Sequence, residues 1–154
     1  MAIVVRDPSL DDFPQINDLG KWFQENSSYK NCGWSDGKFY GLLKEAINPL
    51  SDIFMLIADD DGEVVGMFMG CVTECFFSYE KVAEDLGLVF KPDRRKGIGS
   101  TIKEIISSYR LWATGKGVKQ VTLGITSGIA GDGYKKLLKR HGFSEVGALL
   151  KIEV

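Results

Sequence analysis

A strand, a helix and a second strand in the latter half of the sequence constrain the fold more than any other feature. Residues 82–90 form a mainly apolar run that must end before Pro92, because proline cannot donate a hydrogen bond to a sheet. The longest helical pattern follows, with apolar residues at 3.6-residue spacing over 98–113, and it ends at Gly117. Another apolar run, 118–125, predicts the next strand. Two strands joined by a crossover helix are expected to be parallel, with a right-handed connection.

The rest of the sequence predicts antiparallel strands and further helices around this unit. Asp59-Asp60-Asp61-Gly62 predicts a tight hairpin, because its glycine can adopt the positive φ that the turn requires. The final two strands are predicted to form a hairpin around Gly147. The other predicted strands are 3–6, 53–58, 63–72, 143–146 and 149–154, and the other predicted helices are 13–23, 36–47 and 132–141. At 154 residues, this order indicates one α/β domain of the mixed α+β kind over residues 1–154, with a mostly antiparallel sheet.

Composition and charge exclude several classes of protein. Hydrophobic residues make up 44% of the chain and charged residues 26%, as in ordinary folded domains. The sequence lacks the roughly 18 consecutive apolar residues that a membrane span requires, and Asp7 and Asp11 interrupt any secretory signal, so we expect a cytoplasmic protein without a membrane partner. A net charge of -2 provides no broad positive field, so we expect no nucleic-acid partner.

The cysteines and the histidine predict that no metal is bound. Cys32, Cys71 and Cys75 match no metal-ligand spacing and are interpreted as reduced thiols. His141 is the one histidine in the sequence, which excludes sites built from several histidines, including those of zinc hydrolases.

A basic, glycine-rich segment lies between the strand at 82–90 and the longest helix. It reads Arg94-Arg95-Lys96-Gly97-Ile98-Gly99-Ser100. A helix start presents unpaired N–H groups and the positive end of the helix dipole, and glycines let an anion approach the backbone closely. A pyrophosphate suits this segment, whereas the alternative is a solvated turn. The segment is neither a Walker loop nor a dinucleotide fingerprint, which needs a third glycine where Ile102 stands.

Two motifs resemble those of a known enzyme family. The segment 86–99, LGLVFKPDRRKGIG, closely resembles motif A of the GCN5-related N-acetyltransferases (GNAT), which has the pattern Gln/Arg-x-x-Gly-x-Gly/Ala after a strand and before a helix. The segment 134–143, YKKLLKRHGF, is similar to the carboxy-terminal helix of that family, which ends in Gly-Phe. The resemblance covers nearly the whole chain, is most specific over 82–143, and points to a bacterial or phage-encoded subgroup.

The resemblance implies transfer of an acetyl group from acetyl-CoA, as co-substrate, to a primary amine by direct attack. It implies a GNAT fold with helices on both faces of the sheet and a splayed parallel pair of strands, the fourth and the fifth. In the family the pantetheine arm pairs with the fourth strand, and the pyrophosphate binds the amides of motif A. The residues implied for the pantetheine are Leu88, Val89 and Phe90, and those for the pyrophosphate are Arg94, Arg95, Lys96, Gly97, Ile98, Gly99 and Ser100.

The candidate catalytic base is a carboxylate on the strand where relatives often carry one. An amine attacks only when it is neutral, and a lysine-like amine has a pKa near 10.4, so a base is useful. Glu84 and Asp85 are the candidates, with solvated side chains at a strand start as the alternative. Because side chains alternate along a strand, only one of the two can face a cleft. Asp85 is favoured, since it is predicted to share a face with Gly87, where a substrate would find room.

The sequence departs from the family pattern at two positions. Many relatives carry a tyrosine as general acid where this chain has Leu138, and an asparagine where Thr126 or Ser127 could substitute. Tyr134 is the nearest hydroxyl on the same helix face and is the candidate acid. A packing role for Tyr134 is slightly favoured, because one helical turn separates it from the usual position.

The acceptor side is less defined by the sequence. Tyr29, Trp34 and Tyr40 flank the loop where relatives build the acceptor site, and they either stack on a substrate or pack beneath the loop. A small-molecule amine and a protein or peptide amine both remain open as partners, as do a monomer and a homodimer. The rival interpretation is a non-catalytic acyl-CoA-binding or protein-interaction module with the same fold.

Overall fold

The computed structural model describes residues 2–125 and 131–154, and these contain four strands and four α-helices. In chain order they are β1 (Val4–Arg6), α1 (Phe13–Glu25), α2 (Asp36–Ile47), β2 (Ile53–Asp60), β3 (Glu63–Glu74), β4 (Lys81–Phe90), α3 (Gly99–Gly115) and α4 (Gly131–Arg140). None of the helices in this described part is long and apolar enough to span a membrane. The two predicted helices before the sheet and the long helix after β4 are confirmed.

The sheet has the order β1-β2-β3-β4, and every neighbouring pair is antiparallel, as predicted. A two-residue turn joins β2 to β3, with Asp61 at φ 54° and Gly62 at φ 89°. Positive φ at both central residues gives the turn the twist that a tight hairpin needs. The hairpin predicted from the aspartate run is therefore confirmed.

A β-bulge interrupts β4 at Leu86. Met69 of β3 is paired with Gly87, whereas the next residue, Gly70, is paired with Asp85, so Leu86 is an extra residue on β4. A bulge breaks the two-residue alternation of side chains along a strand. Residues before and after Leu86 consequently do not follow one simple pattern of faces.

Helices cover both faces of the sheet, as the resemblance implied. α3 packs on one face through a buried cluster that includes Phe54, Phe68 and Tyr109. α1 and α2 pack on the other face through a cluster that includes Ile16 and Leu43. The sheet is therefore buried on both sides along β2 and β3, which explains their long apolar runs.

The segment after α3 runs parallel to the start of β4 but pairs with it only briefly. Lys119 N donates to Lys81 O at 2.8 Å, Ala83 N to Gln120 O at 3.0 Å, and Thr122 N to Ala83 O at 2.9 Å. The parallel direction is thus confirmed, whereas a regular fifth strand over 118–125 is not formed. The bulge at Leu86 redirects β4 just beyond this contact, and the splayed strand pair of the family remains a prediction.

The predicted hairpin at the carboxy terminus is wrong. Residues 143–154 have no regular secondary structure, and Leu150 and Ile152 are almost fully exposed. A two-stranded hairpin is marginal unless it packs on a larger sheet, and the described segment 118–125 provides no regular fifth strand for it to join. Polar contacts hold the segment instead, including Lys135 Nζ to Glu145 Oε1 at 2.9 Å and Lys151 Nζ to Ser28 O at 2.8 Å.

Candidate active site

A cavity of about 390 Å³ opens beside the carboxy-terminal half of β4. Its walls come from β4, the segment leading into α3, residues 124–125 and one side of α4, with Phe23 of α1 and Tyr29 also lining it. The lining residues are Phe23, Tyr29, Asp85, Leu86, Gly87, Leu88, Val89, Phe90, Arg95, Ile98, Gly99, Ile102, Gly124, Ile125, Gly133, Tyr134, Leu137 and Arg140. The cavity therefore lies where β4 and the segment after α3 no longer pair with each other.

The start of α3 gives the cavity a set of backbone N–H groups. Ile102 N donates to Ile98 O at 2.9 Å, which is the first bond of the helix. The amides of residues 99–101 precede that bond and lack partners within the helix. A Cβ placed on Gly99 would meet no atom within 4 Å, so the backbone here is open to a ligand. Gly97, with φ 71°, supplies the left-handed conformation that turns the chain into the helix.

Two arginines add positive charge to the lining, Arg95 before α3 and Arg140 at the end of α4. Arg95 Nε donates to Phe90 O at 3.3 Å, and its guanidinium lies 5.3 Å from the ring centre of Trp22. These contacts fix Arg95 at the wall of the cavity. Together with the amides of α3, the arginines suit a phosphate-containing ligand.

Six of the ten residues predicted to bind the co-substrate line the cavity. They are Leu88, Val89, Phe90, Arg95, Ile98 and Gly99. Lys96, Gly97 and Ser100 are not among the lining residues, although the Ser100 amide belongs to the first turn of α3.

Arg94 departs from its predicted position. Its guanidinium forms ion pairs with the buried Asp60 and with Glu63 beside the β2–β3 turn, and it does not line the cavity. A carboxylate as buried as that of Asp60 needs a cationic partner, and Arg94 is close enough to supply it. The Arg94 side chain therefore stabilises the hairpin instead of facing a pyrophosphate.

Asp85 projects into the cavity, half-buried, and contacts the opposite wall. Its Oδ1 accepts a hydrogen bond from Gly124 N at 2.7 Å. Burial raises the pKa of Asp85 to about 6, and the hydrogen bond from Gly124 limits that increase. The carboxylate is still mainly ionised at neutral pH, and it can accept a proton there. Glu84, the other candidate, is exposed and does not line the cavity.

The predicted reason for favouring Asp85 is wrong, because the bulge places Asp85 and Gly87 on opposite faces. Asp85 is paired with Gly70, whose Cβ position faces Tyr109 of α3. A Cβ on Gly87 would instead approach Phe23 of α1, at 3.7 Å. Both residues still line the cavity, because it extends around the edge of β4.

Tyr134 lines the cavity from α4, one helical turn before the buried Leu138. Its hydroxyl is buried and has no hydrogen-bond partner among the described residues. Burial raises the pKa of Tyr134, and the nearby charge of Asp85 raises it further. The hydroxyl therefore stays protonated, and the role of Tyr134 as an acid or as a packing residue remains a prediction. Thr126 and Ser127, the candidates for replacing the family asparagine, lie outside the described residues.

Of the three aromatic residues predicted at the acceptor site, Tyr29 lines the cavity and the other two pack elsewhere. The Trp34 ring lies against Gly20, where a Cβ would clash with it, and Trp34 Nε1 donates to Asn17 Oδ1 at 2.9 Å. Tyr40 packs edge-on against Phe13, with ring centres 5.0 Å apart. Trp34 and Tyr40 therefore stabilise the two amino-terminal helices.

Several lining residues were not predicted from the sequence. They are Phe23, Leu86, Ile102, Gly124, Ile125, Gly133, Leu137 and Arg140. Ile102 is one turn beyond Ile98 on the same helix face, so the helical spacing could have indicated it. Arg140 belongs to a run of basic residues on α4, whose pattern does not distinguish a solvated side chain from a lining one.

Comparison with solved structures finds the same fold over the full length of the chain. An aminoglycoside acetyltransferase from an uncultured soil metagenomic sample superposes with a TM-score of 0.71 at 18% identity, covering 100% of this chain and 99% of that one. The aminoglycoside N-acetyltransferase AAC(6′)-Iy, in complex with a bisubstrate analogue of CoA, gives a TM-score of 0.74 at 17% identity, with 100% and 99% coverage. A ribosomal-protein-alanine N-acetyltransferase from Brucella melitensis biovar Abortus 2308 gives 0.68 at 15% identity and covers both chains completely.

The sequence comparisons are negative. No protein-family model matches the chain, and no curated protein matches it. At identities below 20%, the structural likeness establishes the fold. The chain therefore has the fold of the GCN5-related N-acetyltransferases, which its two sequence motifs had indicated.

Proposed function

We propose that this protein is an N-acetyltransferase that moves an acetyl group from acetyl-CoA to a primary amine by direct attack. The observation that carries the proposal is one cavity that combines the open start of α3, the free edge of β4 and the Asp85 carboxylate. Acetyltransferases of the same fold support it, one of them in complex with a bisubstrate analogue of CoA. The cavity draws on residues from Phe23 to Arg140, so we treat residues 1–154 as one catalytic domain.

The start of α3 and the β4 edge suit the two ends of the acetyl donor. A pyrophosphate would be held by the amides of residues 99–101, with Arg95 and Arg140 supplying positive charge. Beyond Ala83, the outer edge of β4 forms no backbone ladder with residues 119–125. An extended chain containing amide groups, such as pantetheine, can hydrogen-bond to an edge of this kind as an added strand. Leu88, Val89 and Phe90 are the residues at that edge.

Asp85 is proposed as the base that accepts the proton of the attacking amine. With a pKa of about 6, its carboxylate is ionised at neutral pH yet basic enough to accept a proton. The hydrogen bond from Gly124 N fixes its orientation. Tyr134 is proposed as the acid that protonates the departing thiolate, because its protonated hydroxyl lines the same cavity. The thiolate of CoA is itself a tolerable leaving group, so the contribution of this acid is modest.

The acceptor is proposed to be a small-molecule or peptide amine that enters beside Phe23, Tyr29 and Gly87. Aromatic rings can cover the apolar part of such an acceptor, while Asp85 attracts its ammonium group before deprotonation. The solved structures of the same fold include both aminoglycoside and ribosomal-protein-alanine acetyltransferases. The experiment must therefore offer both kinds of amine.

Release of free CoA thiol from acetyl-CoA tests the proposal directly. We would incubate the protein with acetyl-CoA and a panel of aminoglycosides, polyamines, amino acids and peptides with free amino termini, and detect the acetylated product by mass spectrometry. We expect amine-dependent thiol release that Asp85→Asn reduces. Binding of acetyl-CoA without transfer to any amine of the panel would instead favour the non-catalytic acyl-CoA-binding module.

A further inference from the structure

The inference concerns the loop of residues 91–98, which joins β4 to α3 and leads into the amides of the proposed pyrophosphate site. Both ends of the loop are anchored in the core, because Phe90 and Ile98 are buried in the cluster beneath α3. Lys91 N also donates to Val65 O at 2.9 Å, which ties the first residue of the loop to β3. Residues 92–97 lie between these anchors.

Two basic side chains of the loop reach the β2–β3 hairpin. Arg94 forms ion pairs with Asp60 at the end of β2 and with Glu63 at the start of β3, where its Nη2 lies 2.9 Å from Oε2. Lys91 Nζ lies 2.7 Å from Oε1, the other carboxylate oxygen of Glu63. The hairpin therefore holds the loop at two positions, Lys91 and Arg94.

The pair between Asp60 and Arg94 is the buried part of this contact. Asp60 is 8% exposed, and its Oδ1 finds no hydrogen-bond donor in the part of the chain that the structure describes. Removing one member of a buried ion pair leaves the other charge uncompensated, which is costly. The Glu63 side chain is 44% exposed, and exposed ion pairs contribute little. Asp60 therefore determines where the Arg94 side chain lies.

We propose that Asp60 is a positioning residue for the acetyl donor, and that through Arg94 it fixes the loop in the conformation that presents the amides of residues 99–101 to the pyrophosphate. Amides oriented in advance bind an anion more tightly, because ordering a loop during binding costs free energy. The loop includes Gly97, and glycine has the most conformational freedom to lose. This inference rests on the proposed function, in which the start of α3 binds acetyl-CoA. Arg94 acts from outside the cavity and does not touch the ligand.

Asp60→Leu separates positioning from simple electrostatic attraction, because the two predict opposite results. The substitution removes a negative charge beside the loop and frees Arg94, so attraction alone would strengthen the binding of the negatively charged donor. Loss of positioning weakens that binding instead. We expect calorimetric titration with acetyl-CoA to show about a tenfold loss of affinity in Asp60→Leu and at least as large a loss in Arg94→Met. The double variant should lose no more than Arg94→Met, because both substitutions remove the same contact.

Asp12→Leu is the matched control. Asp12 is also a buried carboxylate paired with an arginine, since Arg6 Nη2 lies 2.8 Å from its Oδ1, but Arg6 belongs to β1 at the sheet edge opposite β4. This variant should lose stability and still bind acetyl-CoA like the unmodified protein. In turnover, Asp60→Leu should raise the KM for acetyl-CoA about tenfold with nearly unchanged kcat, because Asp85 is left in place.

Tighter binding by Asp60→Leu, or unchanged affinity in both folded single variants, would overturn the proposal. An equal loss of affinity in Asp12→Leu would also overturn it, since the effect would then be one of general stability. If Asp60→Leu does not fold, Asp60→Asn removes the same charge at equal size and should still weaken binding. No binding of acetyl-CoA by the unmodified protein would refute the proposed function and this inference together, whereas binding that neither variant weakens would refute this inference alone.

Discussion

The two walls of the cavity are built very differently. The β4 wall is paired with β3 along the whole strand, and Val89 and Phe90 within it are buried in the two cores. The facing wall consists of residues 119–125 and α4, and it joins the start of β4 through three backbone hydrogen bonds. The β4 wall is therefore part of the sheet, whereas the facing wall is attached mainly at the start of β4, at Lys81 and Ala83.

This difference suggests that the two walls have different roles in binding. The proposed acetyl donor needs a fixed backbone edge and fixed amides, which β4 and the start of α3 provide. The facing wall shares three backbone hydrogen bonds with the start of β4, and its residues Val121 and Leu123 are partly buried against the core, so we expect it to move more readily than the fully paired β4. Asp85 belongs to the first wall and bonds to Gly124 of the second, so it links the two.

The largest expected effect comes from removing the charge of Asp85, whose carboxylate accepts the hydrogen bond from Gly124 between the two walls. Asp85→Asn should lower kcat by a factor of about 10²–10⁴ with little change in the affinity for acetyl-CoA, because a general base is lost while the shape is kept. Steady-state kinetics and calorimetry would measure the two quantities. Glu84→Gln is the matched control and should retain nearly full kcat, since Glu84 is exposed outside the cavity. The opposite pattern in the two variants would assign the base to Glu84.

The two walls should also differ in their contributions to stability. Phe90→Ala should lower the free energy of unfolding by about 3–5 kcal/mol, because the ring is buried and packs against Gly66. Leu137→Ala should lower it by about 1 kcal/mol or less, because that side chain lines the cavity and is partly exposed. Urea denaturation of both variants measures the difference. Equal losses would show that the α4 wall is as firmly packed as the β4 wall.

The raised pKa of Asp85 predicts a pH dependence of stability. Its carboxyl changes from an ordinary pKa of 3.8 when unfolded to about 6 when folded, so the folded state binds the proton more tightly. The free energy of unfolding should therefore decrease as the pH rises from about 4 to 6, by at most roughly 3 kcal/mol. Asp85→Asn should remove this part of the pH dependence and be the more stable protein at pH 7. If the free energy of unfolding depended on pH in the same way in both proteins, that result would contradict the burial of this carboxyl.

The smallest effect concerns the hydroxyl on the facing wall. Tyr134→Phe should lower kcat about tenfold with an unchanged melting temperature, because the ring is kept and only the proposed acid is lost. Thioester turnover and thermal unfolding measure the two quantities. Turnover equal to that of the unmodified protein would return Tyr134 to a packing role and indicate that the thiolate leaves without an acid.

The sequence predicts the helices and the β2–β3 turn well but does not predict where a regular strand fails to form, for physical reasons. Local signals define the first wall and its surroundings, such as Asp61-Gly62 at the hairpin turn and the 3.6-residue spacing of α3. The exposed residues 143–154 alternate much as strand residues do, but a strand forms only where a neighbour pairs with it. The local sequence pattern does not indicate whether such a neighbouring strand is present.

Two features of the site depend on contacts between distant residues and could not be read from the sequence. Arg94 and Arg95 are chemically alike, and the position of Asp60 in the folded hairpin determines which of them turns away from the cavity. Side-chain alternation along β4 predicts that Asp85 and Gly87 project from the same face of the sheet. The bulge at Leu86 instead puts them on opposite faces. The bulge is a property of the pairing with β3, and a single strand carries no sign of it.

The central claim, that the cavity beside β4 and α3 binds acetyl-CoA, is tested most directly by calorimetric titration of acetyl-CoA into the unmodified protein and into Gly99→Glu. The new carboxylate would oppose a pyrophosphate at the start of α3, and a repulsion of roughly 3 kcal/mol corresponds to about a hundredfold loss of affinity. Gly37→Glu, near the start of α2, is the matched control, because both glycine positions are open to solvent. We predict binding by the unmodified protein and by Gly37→Glu, and a loss of at least about a hundredfold in folded Gly99→Glu. Equal affinities in all three proteins, or no binding by the unmodified protein, would contradict the claim.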